Sequence, residues 1–127
     1  MNIPGYLQEA VHRFGETLGL ESFALSERGT AGFAFASGLR VRFEYVWETL
    51  AVTMSVPAPS DDATMKRLLE RAHPAARRPW RVRTAYLAKD GRAVFMTRVR
   101  ENEATVPALQ EIWNVLWREA NEFGGAR

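Results

Sequence analysis

The sequence predicts an α+β domain of two layers, an antiparallel sheet with three helices, in the order α-β-β-β-β-α-β-β-α. Apolar residues recur in steps of three and four near both ends of the chain. Between residues 22–56, and again over 80–99, they alternate with polar or small residues instead. A short helix-like stretch after Pro57-Ala58-Pro59 separates the two alternating blocks.

In the first segment Ile3, Tyr6, Leu7, Ala10, Val11, Phe14 and Leu18 share one helical face, opposite Gln8, Glu9, Arg13 and Glu16. A helix is expected over 4–18, weakened by Gly15 and stopped near Gly19. Phe23 and Leu25 then alternate with small residues as a first strand, and Glu27-Arg28-Gly29-Thr30 makes a turn. Gly29-Thr30-Ala31-Gly32 belongs to a turn and is no phosphate cradle. Phe33 and Phe35 mark a second strand, which Ser37-Gly38 turns into the next. There Leu39, Val41, Phe43 and Tyr45 face one way and Arg40, Arg42 and Glu44 the other. Trp47-Glu48 interrupts, and Leu50, Val52, Met54 and Val56 alternate after it. Strands with one apolar face suit an antiparallel sheet covered on one side.

Ser60 is the expected N-cap of a second helix, with Asp61 and Asp62 in its first turn and Met65, Leu68, Leu69 and Ala72 as its stripe. A basic loop follows at 74–79. Strands at 80–87 and 92–99 are joined by the turn Lys89-Asp90-Gly91. A long helix is expected over 105–123, where Val106, Leu109, Ile112, Leu116, Ala120 and Phe123 form a stripe that Trp113 and Trp117 widen.

Length sets the domain count at one, covering residues 1–127. The absence of cysteine removes disulfides, thiol chemistry and cysteine metal sites, and suits a reducing compartment. Neither a basic, apolar leader nor a run of ~18 apolar residues occurs, so a cytoplasmic location is expected. His12 and His73 sit on different elements without partners at metal-ligand spacing. No catalytic motif stands out and no carboxylate pair converges, so neither an enzyme nor a cofactor or metal site is expected.

The arginines open one alternative: a small basic nucleic-acid-binding domain. Arg40 and Arg42 share a strand face, Arg81 and Arg83 another, with Arg77-Arg78 and Arg98 to Arg100 nearby. Against it, the aromatics alternate to the opposite face, and the net charge is only +2. A solvated face with cross-strand ion pairs is the plainer expectation. Four tryptophans, seven phenylalanines and three tyrosines are, in turn, a rich supply for one core, and the surplus points to a surface covered by another polypeptide. The short second helix packs either on its own sheet or on a second subunit.

The chain resembles the class I type III secretion chaperones, of CesT/SycE-like fold. The likeness runs through Phe14-Gly15-Glu16-Thr17-Leu18-Gly19-Leu20, the strand block 32–56, the helix around Lys66-Arg67-Leu68-Leu69 and the hairpin from Tyr86 to Phe95. The closing helix from Val106 extends it, and within the family the chain is most similar to the SycN type. The resemblance implies a bacterial cytoplasmic chaperone holding an apolar, extended segment of a secretion substrate without ATP. It implies client contacts at Tyr6, Ala10, Phe33, Phe35, Leu39 and Val41, and a dimer interface at Met65, Leu68, Leu69, Trp80, Val82 and Tyr86. The partner subunit is then an identical chain or, as in the SycN type, a second chaperone of similar fold, with the gatekeeper protein as client. The strand of Phe33 and Phe35 is the expected edge for the client.

Overall fold

The alternation along residues 40–57 becomes two long antiparallel strands whose side chains divide between a buried and an open face. In the computed structural model, which describes residues 2–71 and 80–125, α1 spans Gly5–Thr17, β1 Thr30–Ala34, β2 Arg40–Val46 and β3 Thr49–Pro57. After these come α2 (Asp62–Arg71), β4 (Arg83–Leu87), β5 (Arg92–Arg100), a 3-10 turn (Glu101–Glu103) and α3 (Val106–Gly125). The five strands form one antiparallel sheet in the order β1-β2-β3-β5-β4. The α+β class, the three helices and the antiparallel sheet are thus as expected.

Register fixes which side chains share a face. Phe33, Val41, Met54 and Phe95 are mutual neighbours across four strands, and Phe43 and Val52 sit one row over. This is the covered side: Val41, Phe43, Leu50, Val52, Met54 and Phe95 are all buried. From α3, Leu109, Ile112, Leu116, Ala120 and Phe123 pack onto it, and α1 adds Leu7, Val11 and Phe14. Burying a side chain of this size contributes ~1.5–3 kcal/mol, so this face dominates the stability. Thr105 caps α3 by accepting from the Ala108 N–H at 3.3 Å.

The first expected strand, around Phe23 and Leu25, does not join the sheet. Both side chains are buried, as alternation demands, but the Gln8 amide on α1 satisfies the backbone instead. Its Nε2 donates to the Leu25 carbonyl and its Oε1 accepts the Leu25 N–H, each at 2.8 Å. A side chain thus stands in for a neighbouring strand. Thr30, Ala31 and Gly32 lie in β1 rather than in a turn, and the turn before them closes from Gly29 N–H to the Ser26 carbonyl at 2.8 Å. The cap of α2 is Asp61, one residue beyond the expected Ser60: its carboxylate accepts the Thr64 N–H at 2.8 Å.

Gly15 owes its place to packing. A Cβ there would lie 2.5 Å from the Phe23 Cβ, so only glycine lets the 23–25 segment press on α1. Gly19 ends α1 in the left-handed region at φ 82°, as a helix stop requires. Ala72, His73 and the loop 74–79 with Arg77-Arg78 lie outside the described residues.

Candidate functional site

An aromatic series climbs out of the core at the β1 edge. Phe43 is buried and meets Phe23 edge-on at 5.3 Å between ring centroids; Phe23 meets Phe33 edge-on at 5.6 Å. Phe33 stacks on Trp113 at 6.0 Å, and Trp113 on Trp117 at 5.7 Å. Phe35 closes the series edge-on against Trp117 at 5.4 Å. Exposure rises along it: Phe33 and Trp113 are half-buried, and Phe35 and Trp117 are each 38% exposed. With Leu18 and Leu20 these rings line a hollow of about 410 Å³. The strand beside it, β1, pairs among the described residues with β2 alone and carries no charged residue in Thr30–Ala34. An apolar hollow beside an unguarded strand edge offers side-chain pockets and backbone hydrogen bonds together.

The opposite edge is built differently. There α2 lies against β4, with Leu68 buried and Thr84 Oγ1 donating to the Leu68 carbonyl at 3.3 Å. Its basic side reaches α3: the Arg67 guanidinium sits 4.1 Å from the Phe123 ring centre, and Arg71 pairs with Glu119 at 2.6 Å. The remaining face of α2 is bare, with Met65 41% and Leu69 73% exposed.

A third apolar feature stands apart. Trp47, at the β2–β3 turn, is 91% exposed. Nearby the Tyr45 hydroxyl donates to Glu101; that bond, with desolvation and the Glu101 charge, pushes the phenol from 10.0 up to about 12.

The arginines share the uncovered face of the sheet, as alternation required, yet the expected cross-strand ion pairs are missing. Arg42 pairs with Glu44 on its own strand at 2.9 Å; Arg40, Arg83, Arg98 and Arg100 form no ion pair among the described residues. His12, expected to lack a carboxylate, faces Glu16 one turn on at 3.4 Å. Two such groups make no metal site, and no cluster of three candidate ligands occurs among the described residues. No helix among them is long and apolar enough to cross a membrane.

A profile of the Tir chaperone protein (CesT) family matches residues 9–123. The chain belongs to that family. No curated protein matches it in sequence. Solved structures match in fold. A chain of the ExsC–ExsE complex superposes with a TM-score of 0.73 at 16% identity, covering 97% of this chain and 94% of the other. One of the HopA1–SchA chaperone–effector complex gives 0.72 at 15%, covering 93% and 92%. The Yersinia pestis type III secretion chaperone SycH, in complex with a stable fragment of YscM2, is represented at 0.72 and 16%, covering 92% and 98%.

In this CesT-family chain the expected client residues do not form one surface. Phe33 and Phe35 lie in the aromatic hollow. Ala10, Leu39 and Val41 are buried in the subunit's own core, leaving their side chains little to offer a partner. Tyr6, 56% exposed, stands at the start of α1 beside Glu101, a helix length of ~18 Å from Leu18 and the hollow. Of the expected interface residues, Leu68 is buried, Trp80, Val82 and Tyr86 are half-buried, and Met65 and Leu69 face outward. Trp80 donates to Glu111 on α3 at 3.1 Å, and the Tyr86 hydroxyl to the Ala58 carbonyl at 2.9 Å. Trp113, Trp117, Leu18 and Leu20 were missing from the expected surface. The sequence held a signal for the tryptophans: they widen the α3 stripe beyond what a two-layer core needs.

Proposed function

We propose that this chain is a bacterial cytoplasmic secretion chaperone. It holds an extended apolar segment of a type III secretion substrate in the hollow of Phe33, Phe35, Trp113 and Trp117, without ATP. The observation that carries the reading is the continuity of this hollow with the free, uncharged β1 edge. A client strand laid along β1 gains backbone hydrogen bonds there while its alternate side chains enter the aromatic pocket. The contact energy offsets the cost of ordering the client, so no chemical energy input is required. The bare face of α2, with Met65 and Leu69, supports a dimer joined through α2 and β4. Likeness to the SycN type favours a second chaperone of similar fold as the other subunit, and the gatekeeper protein as client.

Co-expression with the neighbouring genes, followed by the mass of the purified complex, tests the reading. Phe35→Glu is the variant of choice, because Phe35 is exposed and meets only rings of the hollow, whereas half-buried Phe33 also braces Phe23 and its loss would disturb packing. Phe35→Glu should weaken client binding by ~30-fold or more, as for an interface hot spot, with the fold and subunit mass unchanged. Undiminished client retention rejects the aromatic site, and a monomer that captures no neighbouring product rejects the chaperone reading.

A further inference from the structure

The open face of the sheet is left unused by the reading above. Register arranges it in rows: Arg42, Thr53, Met96 and Arg83 lie side by side, as do Glu44, Ala51 and Arg98, and Arg40, Ser55 and Val94. The middle strand, β3, presents only small side chains there, Thr49, Ala51, Thr53 and Ser55. They floor a furrow. Its banks carry arginines at opposite ends: Arg40 and Arg42 on β2 beside Ser55 and Thr53, and Arg98 and Arg100 on β5 beside Ala51 and Thr49, with Arg83 behind on β4. These five are exposed, while Arg92, at the Arg40 end, is buried and donates to Ser55 and the Gly38 carbonyl. Near Arg40, Ser55 and Val94 the surface deepens into a hollow of about 680 Å³. Negative charge reaches this face at Glu44, at Asp90 on the rim of the hollow, and at the Thr49–Arg100 end, where Glu48 and Glu101 line a further hollow with both residues. Among the described residues only Arg42 of the five arginines is in an ion pair.

Two spacings define what fits. The banks stand two strands apart, ~9–10 Å, the room an extended chain occupies along β3. Within each bank the arginines alternate along the strand, so they repeat every ~6.6–6.8 Å, the repeat of alternate residues in an extended polypeptide. Guanidinium forks match carboxylates in bidentate pairs. Between them, Ala51, Val94 and Met96 give a weakly apolar floor for small side chains. Nucleic acid fits less well: the rows contain no aromatic platform for bases, and the net charge of the chain is +2.

We propose that the open sheet face is a second docking surface, for an extended acidic segment of another polypeptide lying along β3 between Arg40/Arg42 and Arg98/Arg100. It adjoins the client edge at β1, whose residues also line the deeper hollow, but it takes a different chemistry. Fluorescence anisotropy of the intact protein with a labelled peptide alternating glutamate and alanine tests this, beside the same peptide with lysine for glutamate and a single-stranded oligonucleotide. The acidic peptide should bind, and weaken with added salt as paired surface charges do. Arg42→Ser with Arg98→Ser should weaken it at least tenfold, while Phe35→Glu leaves it unchanged. Arg42→Glu with Arg98→Glu should reverse the preference toward the lysine peptide, a switch that mere loss of folding cannot produce. The proposal is overturned by no binding of the acidic peptide at low salt, by binding insensitive to both arginine pairs, or by tighter, arginine-dependent binding of the oligonucleotide. Client binding through the hollow is scored separately by Phe35→Glu, so either reading can fail alone.

Discussion

The two edges of the sheet differ in what stands beside them. At the β4 edge a helix covers the flank and spends one leucine, Leu68, inward while holding the next, Leu69, out. At the β1 edge no helix intervenes among the described residues, and Phe33 and Phe35 meet aromatic rings of α3 at the surface. Proteins usually guard an exposed strand edge with charge, proline or a covering element. Here β4 has its helix and Arg83, whereas Thr30–Ala34 has neither charge nor proline. An unguarded edge next to an apolar hollow suits pairing with another chain. A covered edge with a bare helix face suits rigid docking of a folded one. Under the proposed function the two edges meet two kinds of partner, one extended and one folded, on opposite sides of one small domain.

The sharpest test of the β4 side uses its adjacent leucines. Leu68→Ala removes a buried side chain and should destabilise the protein by ~2–5 kcal/mol in urea unfolding. Leu69→Ala, at an exposed position, should change subunit stability by less than ~0.5 kcal/mol. Leu69→Glu should instead lower the mass in solution to that of one subunit. Equal costs for the two alanine variants would mean that α2 is buried alike on both faces, and the contrast between the edges would collapse.

The β1 side depends on a support that lies deeper. Gly15 lets Phe23 approach α1, Phe23 braces Phe33, and Phe33 stacks on Trp113. Gly15→Ala gains up to ~1 kcal/mol of helix propensity but forces a Cβ to within 2.5 Å of the Phe23 side chain. Overpacking of this kind costs ~1–3 kcal/mol, so a net loss of stability is expected. Client affinity should fall with it, because the base of the hollow shifts. A more stable Gly15→Ala with full affinity would show that the hollow does not lean on this contact.

Much of this architecture was legible because its periodicities are simple. Leu39 to Tyr45 and Leu50 to Val56 alternate cleanly, and they became β2 and β3 with the expected faces. Phe23 and Leu25 alternate as well, and their burial followed. What alternation cannot report is hydrogen-bond partnership, and the Gln8 amide, fifteen and more residues upstream, took the place of a strand. The break at Trp47-Glu48 was visible, but not that both residues would take positive φ, 51° and 62°, in a turn that asparagine and glycine normally fill. The hollow was half legible. Phe33 and Phe35 announced themselves, whereas Trp113 and Trp117 showed only as a widening of the α3 stripe, because a helical stripe does not say where the sheet beneath it ends. Leu39 and Val41 show the converse: strand alternation marks a covered face without saying whether the cover is the subunit's own helices or a partner.

The smallest expected effect concerns how firmly α2 guards its edge. Asp61 accepts the Thr64 N–H at the head of α2, and hydrogen bonding by the Thr64 backbone and then its hydroxyl, with a lesser contribution from Arg67, holds its carboxyl below the ordinary 3.8. A carboxylate depressed by folding contributes stability that is fully present above its unfolded pKa and is lost as pH falls through the lower, folded one. The cap is therefore intact at neutral pH, and its contribution disappears only in acid, below 3.8. Asp61→Ala should lower the melting temperature at pH 7, while Ser60→Ala should not, since no hydrogen bond assigns Ser60 the cap. Asp61→Asn keeps the acceptor and removes the titration, so the acid-side loss should flatten while the helix persists. Because α2 carries the bare face of Met65 and Leu69, the subunit mass should follow the same order: Asp61→Ala loosens association slightly, and Asp61→Asn leaves it intact. If Ser60→Ala proved the more damaging, α2 would begin one residue earlier than its hydrogen bonds indicate, and the outward angle of Leu69 would have to be redrawn with it.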